Sequence, residues 1–269
     1  MSRYAVVGDP IAHSKSPEIH SQFARQTGED VSYHKHQVSA GEFEQFVRTF
    51  FAEGGSGLNI TLPHKESAFN LAAVKSTRSQ LAKAANTLWL NDQGELCAEN
   101  TDGAGIVRDL TVNHDVQLSD RRLLIVGAGG AARGALATLI ETNPSAIAVL
   151  NRTRQKAEAI AGDFVGKFSL QVLDYESQGE GEFDVIINAT SMGIQDKAPA
   201  INAQLIGKEC CCYDMMYGDE PTAFMRWASD NDAKIVIDGL GMLVEQAAES
   251  FQIWRGVRPQ TQPVIDALR

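Results

Sequence analysis

The chain has 269 residues, a length that fits one large domain or, more naturally, two at about 100–200 residues each. Hydrophobic residues make up 43% and charged residues 22%, and no run approaches about 18 consecutive apolar residues, which excludes disordered, collagen-like, coiled-coil and membrane-spanning chains. Lys and Arg number 24 against 34 Asp and Glu, a net charge of −10, so a general affinity for nucleic acid or an anionic membrane is excluded and any anionic ligand must be held by local groups.

Met1 to Asp9 carry no basic segment followed by a long apolar run, so a cytoplasmic address is expected. Tyr4-Ala-Val-Val7, ended by Gly8-Asp9-Pro10, fits a buried strand and its turn. A helix should start at Ser16, with Ser16 as cap, Pro17 at the first helical position and Glu18 as a favourable first-turn charge. Val31–Val38 alternates like a strand, Phe43, Phe46, Val47 and Phe50 give Glu42–Glu53 helical spacing, and Gly57–Thr61 returns to strand. Asn86–Leu90 and Glu95–Ala98 flank Asn91-Asp-Gln-Gly94 as a hairpin.

A bridging helix from about Thr101 and a polar stretch, Asn113–Arg122, lead into a second rhythm. Strands are expected at Leu123–Val126, Ala146–Leu150, Val185–Asn188, Cys210–Asp214 and Lys234–Ile237, a pattern that implies a parallel sheet. Leu243, Val244, Ala247, Phe251 and Trp254 share one helical face, and Pro263–Leu268 suits a last helix. Cys97 and the run Cys210–Cys212 match neither a zinc pair nor a disulfide framework, and on a strand they read as small buried hydrophobes. His13, His20, His34, His36, His64 and His114 form no metal-binding pattern, so no metal is expected. Trp89, Trp227 and Trp254 are expected to fill cores.

Leu123–Val126 runs directly into Gly127-Ala128-Gly129-Gly130-Ala131-Ala132, followed by the helix formers Ala135 to Thr142. This is the strand, glycine turn and helix of a dinucleotide site: Gly127 allows the turn, Gly129 lets backbone amides approach a pyrophosphate, and Ala132 permits close helix packing. The end of the next strand reads Asn151-Arg152-Thr153-Arg154-Gln155-Lys156. It lacks the carboxylate that binds a ribose 2′-hydroxyl and carries three cations instead, which suits a 2′-phosphate and so NADP rather than NAD.

Three further blocks carry a specific resemblance: Gly8-Asp-Pro-Ile-Ala-His-Ser14-Lys-Ser16-Pro17, Asn59-Ile-Thr61-Leu-Pro63-His-Lys65, and Asn86-Thr87 followed by Asn100-Thr101-Asp102. Together with the glycine turn, Asn188–Gly193, Asp214-Met-Met-Tyr217 and Asp238–Ala247, they resemble the signature blocks of the shikimate dehydrogenase family over nearly the whole chain. The resemblance implies an α/β architecture of two domains flanking a deep cleft. Residues 1–101, with helices from 241–269 folding back, would form the substrate-binding and catalytic domain, and 102–240 a Rossmann-like NADP domain. It implies NADP-linked interconversion of 3-dehydroshikimate and shikimate, in the route to chorismate and the aromatic amino acids. Lys65 and Asp102 would be the catalytic pair. Ser14 and Ser16 would hold the substrate carboxylate, Asn59, Thr61, Asn86 and Gln246 its other oxygens, with Tyr217 nearby. Gly127, Ala128, Gly129, Gly130, Ala131, Asn151, Arg152, Thr153 and Lys156 would contact NADP, with Met215 and Gly239 beside the nicotinamide.

Residue chemistry supports the pair independently. Hydride transfer to a ketone leaves an alkoxide that needs a proton donor within hydrogen-bond reach, and the reverse reaction needs a base there. Pro63 marks a helix start whose positive end disfavours an ammonium at Lys65, whereas an ionised Asp102, itself at a helix start, favours it. Ser21, Ala98 and the absence of a proline after Thr222 depart mildly from the family pattern and bear on loop geometry near Tyr217. Two alternatives remain: a quinate/shikimate dehydrogenase with broader substrate or NAD use, and a catalytically silent module binding shikimate-like ligand and NADP. Arg152 counts against the first, Lys65 and Asp102 against the second. The expected partner is a small molecule, and the chain is expected to be a monomer or homodimer.

Overall fold

Short apolar runs alternating with helical segments build two α/β units, seen in a computed structural model that describes residues 1–179 and 181–269. Met1–Gly105 with Leu243–Arg269 form one unit and Ile106–Met242 the other. The divisions fall at 105/106 and 242/243, inside two helices, where composition gives no sign of a boundary.

The first unit contains β1 (Ser2–Gly8), α1 (Ser16–Thr27), β2 (Val31–Gln37), α2 (Phe43–Ala52), β3 (Gly55–Ile60), α3 (Lys65–Leu71), β4 (Val74–Lys75), α4 (Thr77–Ala82), β5 (Thr87–Leu90) and β6 (Leu96–Glu99). Its sheet runs β2-β1-β3-β5-β6-β4, with β1 parallel to both neighbours and β5 antiparallel to β3 and β6, as the hairpin requires. Alternate residues of β1 point to opposite faces, and both faces are covered. Ala5 and Val7 pack with Phe43, Val47, Leu58 and Leu88, while Tyr4 and Val6 pack with Tyr33 and Trp254. Trp254 stacks on Tyr4 with ring centroids 4.7 Å apart. The strand ends of β1 and β3 lead into cis peptides at Asp9–Pro10 and Leu62–Pro63.

The chain then passes along α5 (Asp102–Arg108) and a π-helical turn, Asp109–Asn113. The second unit follows with β7 (Arg122–Val126), α6 (Gly130–Leu139), β8 (Ala146–Leu150), α7 (Arg154–Asp163), β9 (Leu170–Leu173), β10 (Phe183–Asn188), β11 (Ile206–Asp214), α8 (Ala223–Asp230) and β12 (Ile235–Ile237). All strand pairs in its sheet are parallel, in the order β12-β11-β10-β7-β8-β9. Leu123, Leu124 and Ile125 of the central strand are wholly buried, each burial contributing about 1.5–3 kcal/mol. Cys210 and Cys212 lie in the core with Leu124, Ile186 and Phe224; all four cysteines are free and buried, and burial pushes the Cys211 thiol up to about 12. Trp227 stacks on Phe224.

Two helices close the chain. α9 (Leu240–Arg255) begins in the second unit and ends in the first, where Val244, Ala247, Ala248 and Phe251 pack on Ile19 and Phe23 of α1 and on Val264 of α10 (Gln262–Leu268).

The structure corrects two local readings. Ser16 is the first residue of α1 rather than its cap: Lys15 holds the cap position without a side-chain bond, and the Ser16 amide donates to Ser14 Oγ at 3.3 Å. The second sheet also has an edge strand not expected from sequence, β9, whose four residues are mostly half-buried or exposed and too few to show a period.

Candidate active site and nucleotide site

Strand ends and helix starts of the first unit bring most of the expected catalytic and substrate residues together. Lys65 is the first residue of α3, and its Nζ donates to Asp102 Oδ2 at 2.6 Å, with the lysine side chain 23% and the aspartate side chain 8% exposed. Asp102 opens α5, where its amide donates to Asn100 Oδ1 at 3.1 Å. Its second oxygen, Oδ1, accepts from Asn86 Nδ2 at 2.9 Å. The Asn86 amide cannot flip without loss, because Oδ1 accepts the Thr101 amide N–H at 2.9 Å. Asn86 Nδ2 also reaches Gln246 Oε1 at 3.2 Å, which places a residue of α9 beside the pair. A lysine donor, a carboxylate acceptor and the side-chain amides of Asn86 and Gln246 are thus gathered in one hydrogen-bonded group.

Asn59, near the end of β3, is 6% exposed and bonded on every side. Its Oδ1 accepts from Tyr33 Oη at 2.7 Å and lies 3.1 Å from His20 Nε2. Its Nδ2 donates to the Asn86 carbonyl at 3.2 Å and to Ser250 Oγ at 3.0 Å. A carbonyl only accepts, so the Asn59 orientation is fixed, and His20 must carry its proton on Nε2. His20 is fully buried, stacked 4.3 Å from the Tyr33 ring, and burial drives its pKa down to about 3, so the imidazole is neutral. Burial raises the Tyr33 hydroxyl well above its ordinary value, which keeps it a donor. Ser14 Oγ donates to Ser16 Oγ at 3.1 Å, and Thr61, half-buried, follows β3 with its amide on the Val7 carbonyl at 2.9 Å.

The second unit places the glycine turn at the centre of its sheet. Gly127 has φ +113°, and a Cβ there would stand 3.0 Å from the carbonyl oxygen of Ala189, just past β10, so the turn from β7 into α6 admits only glycine without strain. Gly129, Gly130 and Ala131 are exposed at the start of α6, with nothing within 4 Å of where a Cβ on either glycine would lie. Ala128 is half-buried, and Ala132 is wholly buried in the helix–sheet contact. Beyond β8, Asn151 Nδ2 donates to the Thr153 carbonyl at 2.8 Å. Arg152, Thr153 and Lys156 are exposed. Arg154 pairs with Glu158 and Asp174, whereas Arg152 and Lys156 have no acidic partner among the described residues. The open helix start and the unpaired cations fit a pyrophosphate and a 2′-phosphate.

Met215 and Tyr217 stand on the segment after β11. Asp214 is buried, accepts from Thr222 Oγ1 at 2.6 Å, Asn188 Nδ2 at 3.0 Å and the Met216 amide at 3.1 Å, and its carboxyl is raised by burial. Gly239 donates its amide to the Met216 carbonyl at 2.9 Å, and a Cβ on it would lie 2.3 Å from the Met215 carbonyl oxygen. Tyr217 is half-buried, which raises its hydroxyl. The sequence assigns no site role to Asp214, Thr222, Thr101 or Ser250, although Asp214 and Thr101 lie within the blocks that carry the resemblance. Ser250 does carry a signal, since it lies one helical turn beyond Gln246 on the same face.

Among the described residues, no three His, Cys, Asp or Glu side chains stand where they could hold a metal, and no helix is long and apolar enough to cross a membrane.

A doubly wound parallel sheet with its glycine turn, joined to a second α/β unit bearing a lysine–aspartate pair, defines a nucleotide-linked oxidoreductase. Residues 6–88 match the family model of the shikimate dehydrogenase substrate binding domain, 110–202 that of shikimate/quinate 5-dehydrogenase, and 239–269 that of the shikimate 5′-dehydrogenase C-terminal domain. The NADP(+) shikimate dehydrogenase of Alkalilimnicola ehrlichii is 51% identical, over 99% of this chain and 98% of its own. That of Marinobacter nauticus is 52% identical over 99% and 98%. Among solved structures, an enzyme from Pseudomonas putida superposes with a TM-score of 0.95 at 43% identity, covering 100% of this chain and 98% of its own. Shikimate 5-dehydrogenase from Thermus thermophilus, in complex with NADP(H) and shikimate, gives 0.88 at 31% identity, over 99% and 98%. The chain belongs to the shikimate dehydrogenase family.

Proposed function

We propose that the chain catalyses the reversible NADP-linked reduction of 3-dehydroshikimate to shikimate, with Lys65 and Asp102 as the acid–base pair. The observation that carries the reading is the 2.6 Å contact of Lys65 Nζ with Asp102 Oδ2, whose other oxygen is held by Asn86. Substrate belongs to the first unit: Ser14 and Ser16 bind the carboxylate, Thr61, Asn86 and Gln246 bind ring oxygens, and Asn59 joins them through its bond to the Asn86 main chain. Tyr217 is the remaining residue assigned to substrate. Gly127, Ala128, Gly129, Gly130 and Ala131 hold the cofactor pyrophosphate, Asn151, Arg152, Thr153 and Lys156 its adenosine end, and Met215 and Gly239 line the nicotinamide.

When bound, NADPH supplies the hydride. Lys65 as an ammonium gives a proton to the oxygen that becomes the alkoxide, and as an amine takes it back in the oxidative direction. Asp102 accepts a hydrogen bond from the same hydroxyl and fixes the lysine beside it. A cytoplasmic monomer or homodimer completes the proposal, with sedimentation of the purified chain as the check on its size.

The test is the initial rate at the NADPH absorbance band with shikimate and with quinate, each against NADP and NAD. Turnover mainly with shikimate and NADP is expected, with kcat of Lys65→Ala lower by at least ~100-fold. Equal use of quinate or NAD would place the chain among broader quinate/shikimate dehydrogenases, and binding without turnover would make it a silent module.

A further inference from the structure

Ser250 lies inside α9, wholly buried, and takes no part in the reaction proposed above. Its hydroxyl nevertheless meets four groups of the substrate-side network. Asn59 Nδ2 donates to it at 3.0 Å, Thr87 Oγ1 lies 2.7 Å away and Thr101 Oγ1 3.3 Å, and it donates to the Gln246 carbonyl at 3.1 Å. Thr87 in turn donates to Asn86 Oδ1 at 3.0 Å. One hydroxyl on a helix thus touches Asn59 and reaches, through one further atom, Asn86, which bonds Asp102 of the lysine–aspartate pair.

Gln246 itself is loosely tied. Its Oε1 accepts only the long contacts from Asn86 Nδ2, 3.2 Å, and Thr101 Oγ1, 3.4 Å, and its Nε2 turns back to the Leu243 carbonyl of its own helix. The apolar contacts of α9 with α1 and α10 bury the helix and are non-directional. Directional contacts hold α9 at Glu245, bonded by Arg258 at 2.7 Å and Thr261 at 2.6 Å, and at Arg255, which donates to Glu29 at 2.7 Å; the Ser250 hydroxyl, one turn from Gln246, is the directional contact that joins α9 to Asn59 and Thr87.

We infer that Ser250 is a positioning residue, which sets the Gln246 amide and the Asn59–Asn86 pair against the substrate. The inference rests on the reading of Asn86 and Gln246 as substrate ligands. Ser250→Ala removes the 3.0 Å acceptor of Asn59 Nδ2 and the 2.7 Å neighbour of the Thr87 hydroxyl, leaving Nδ2 with the longer 3.4 Å contact to Thr87 Oγ1 and Thr87 with Asn86 Oδ1 at 3.0 Å, while the apolar face of α9 is unchanged.

The experiment is calorimetric binding of shikimate and, separately, of NADPH to the full chain, with thermal melting in parallel. Ser250→Ala is expected to weaken shikimate about tenfold, the effect of about one net hydrogen bond, and to change NADPH binding by less than about twofold. Thr87→Val, which removes the next hydroxyl at nearly constant volume, is expected to weaken shikimate similarly. The double variant should be little worse than either, because both act through one network. Unchanged shikimate affinity in a folded Ser250→Ala, or a loss equal for shikimate and NADPH, would overturn the inference, as would additive effects of the two substitutions. If the unaltered chain itself fails to bind shikimate, the substrate reading falls first and this inference with it.

Discussion

Acidification provides a sharp test of the buried network, because His20 is neutral in the folded chain and ordinary in the unfolded one. Its pKa falls from 6.5 to about 3 by burial. The unfolded chain therefore binds more protons between those values, so stability is fully present above about pH 6.5 and is lost as pH falls toward about 3. At pH 5 the unfolded imidazole is about 97% protonated and the native one almost not at all, which corresponds to a loss of about 2 kcal/mol relative to pH 8. His20→Phe keeps a ring against Tyr33 and Phe251 and removes the titration, at the cost of one donor to Asn59. The assay is urea unfolding at pH 8, 7, 6 and 5 followed by tryptophan fluorescence, which Trp254 reports from 5.5 Å away. Other histidines cancel in the difference between the two proteins. That difference should be constant above about pH 7 and shrink by about 2 kcal/mol by pH 5. Parallel curves over the whole range would refute a neutral buried His20.

Two further substitutions probe the second unit. On the proposed role of Arg152 at the 2′-phosphate, Arg152→Ala should raise KM for NADP about tenfold or more, with KM for NAD moving less than about twofold, since it would remove a charge-assisted bond that NAD has no group to make; steady-state kinetics with both cofactors decides it. Gly239→Ala pushes a methyl into the Met215 carbonyl, 2.3 Å from the new atom. It should cost about 1–3 kcal/mol of stability and weaken NADPH binding, measured by chemical unfolding and by fluorescence titration.

The parts of the molecule that sequence made legible are those fixed by local chemistry. The glycine turn is read directly because glycine alone takes φ +113° at position 127 without strain and the small Ala132 packs wholly buried at the start of α6. The hairpin of β5 and β6 is read from its turn residues, and the helix starts of α3 and α5 from Pro63 and Asn100. What stayed hidden is non-local. β9 is a half-exposed edge whose pairing with β8 is visible only in three dimensions. Ser16 before Pro17 has the signature of a cap, yet the cap geometry falls one residue earlier, at Lys15. Asp214 and Thr222, eight residues apart, meet by loop closure. Asn59 and Ser250 are separated by 191 positions, and no period or motif announces their contact.

The first unit is made from both ends of the chain, with all of Ile106–Met242 between them. During synthesis, β1 to β6 are complete long before α9 exists. At about 5–20 residues per second the ribosome takes roughly 7–27 s to cross the intervening unit. Over that interval the hydroxyl of Ser250 and the apolar face carried by Val244 and Phe251 have not yet been made, and the surfaces of Ile19 and Phe23 that they cover face water. The contiguous unit can fold as soon as it emerges, whereas the unit that carries Lys65 and Asp102 must wait for the last stretch of chain. A chain that ends before Leu243 therefore carries the whole of the contiguous unit, while the other lacks the residues that cover Ile19 and Phe23.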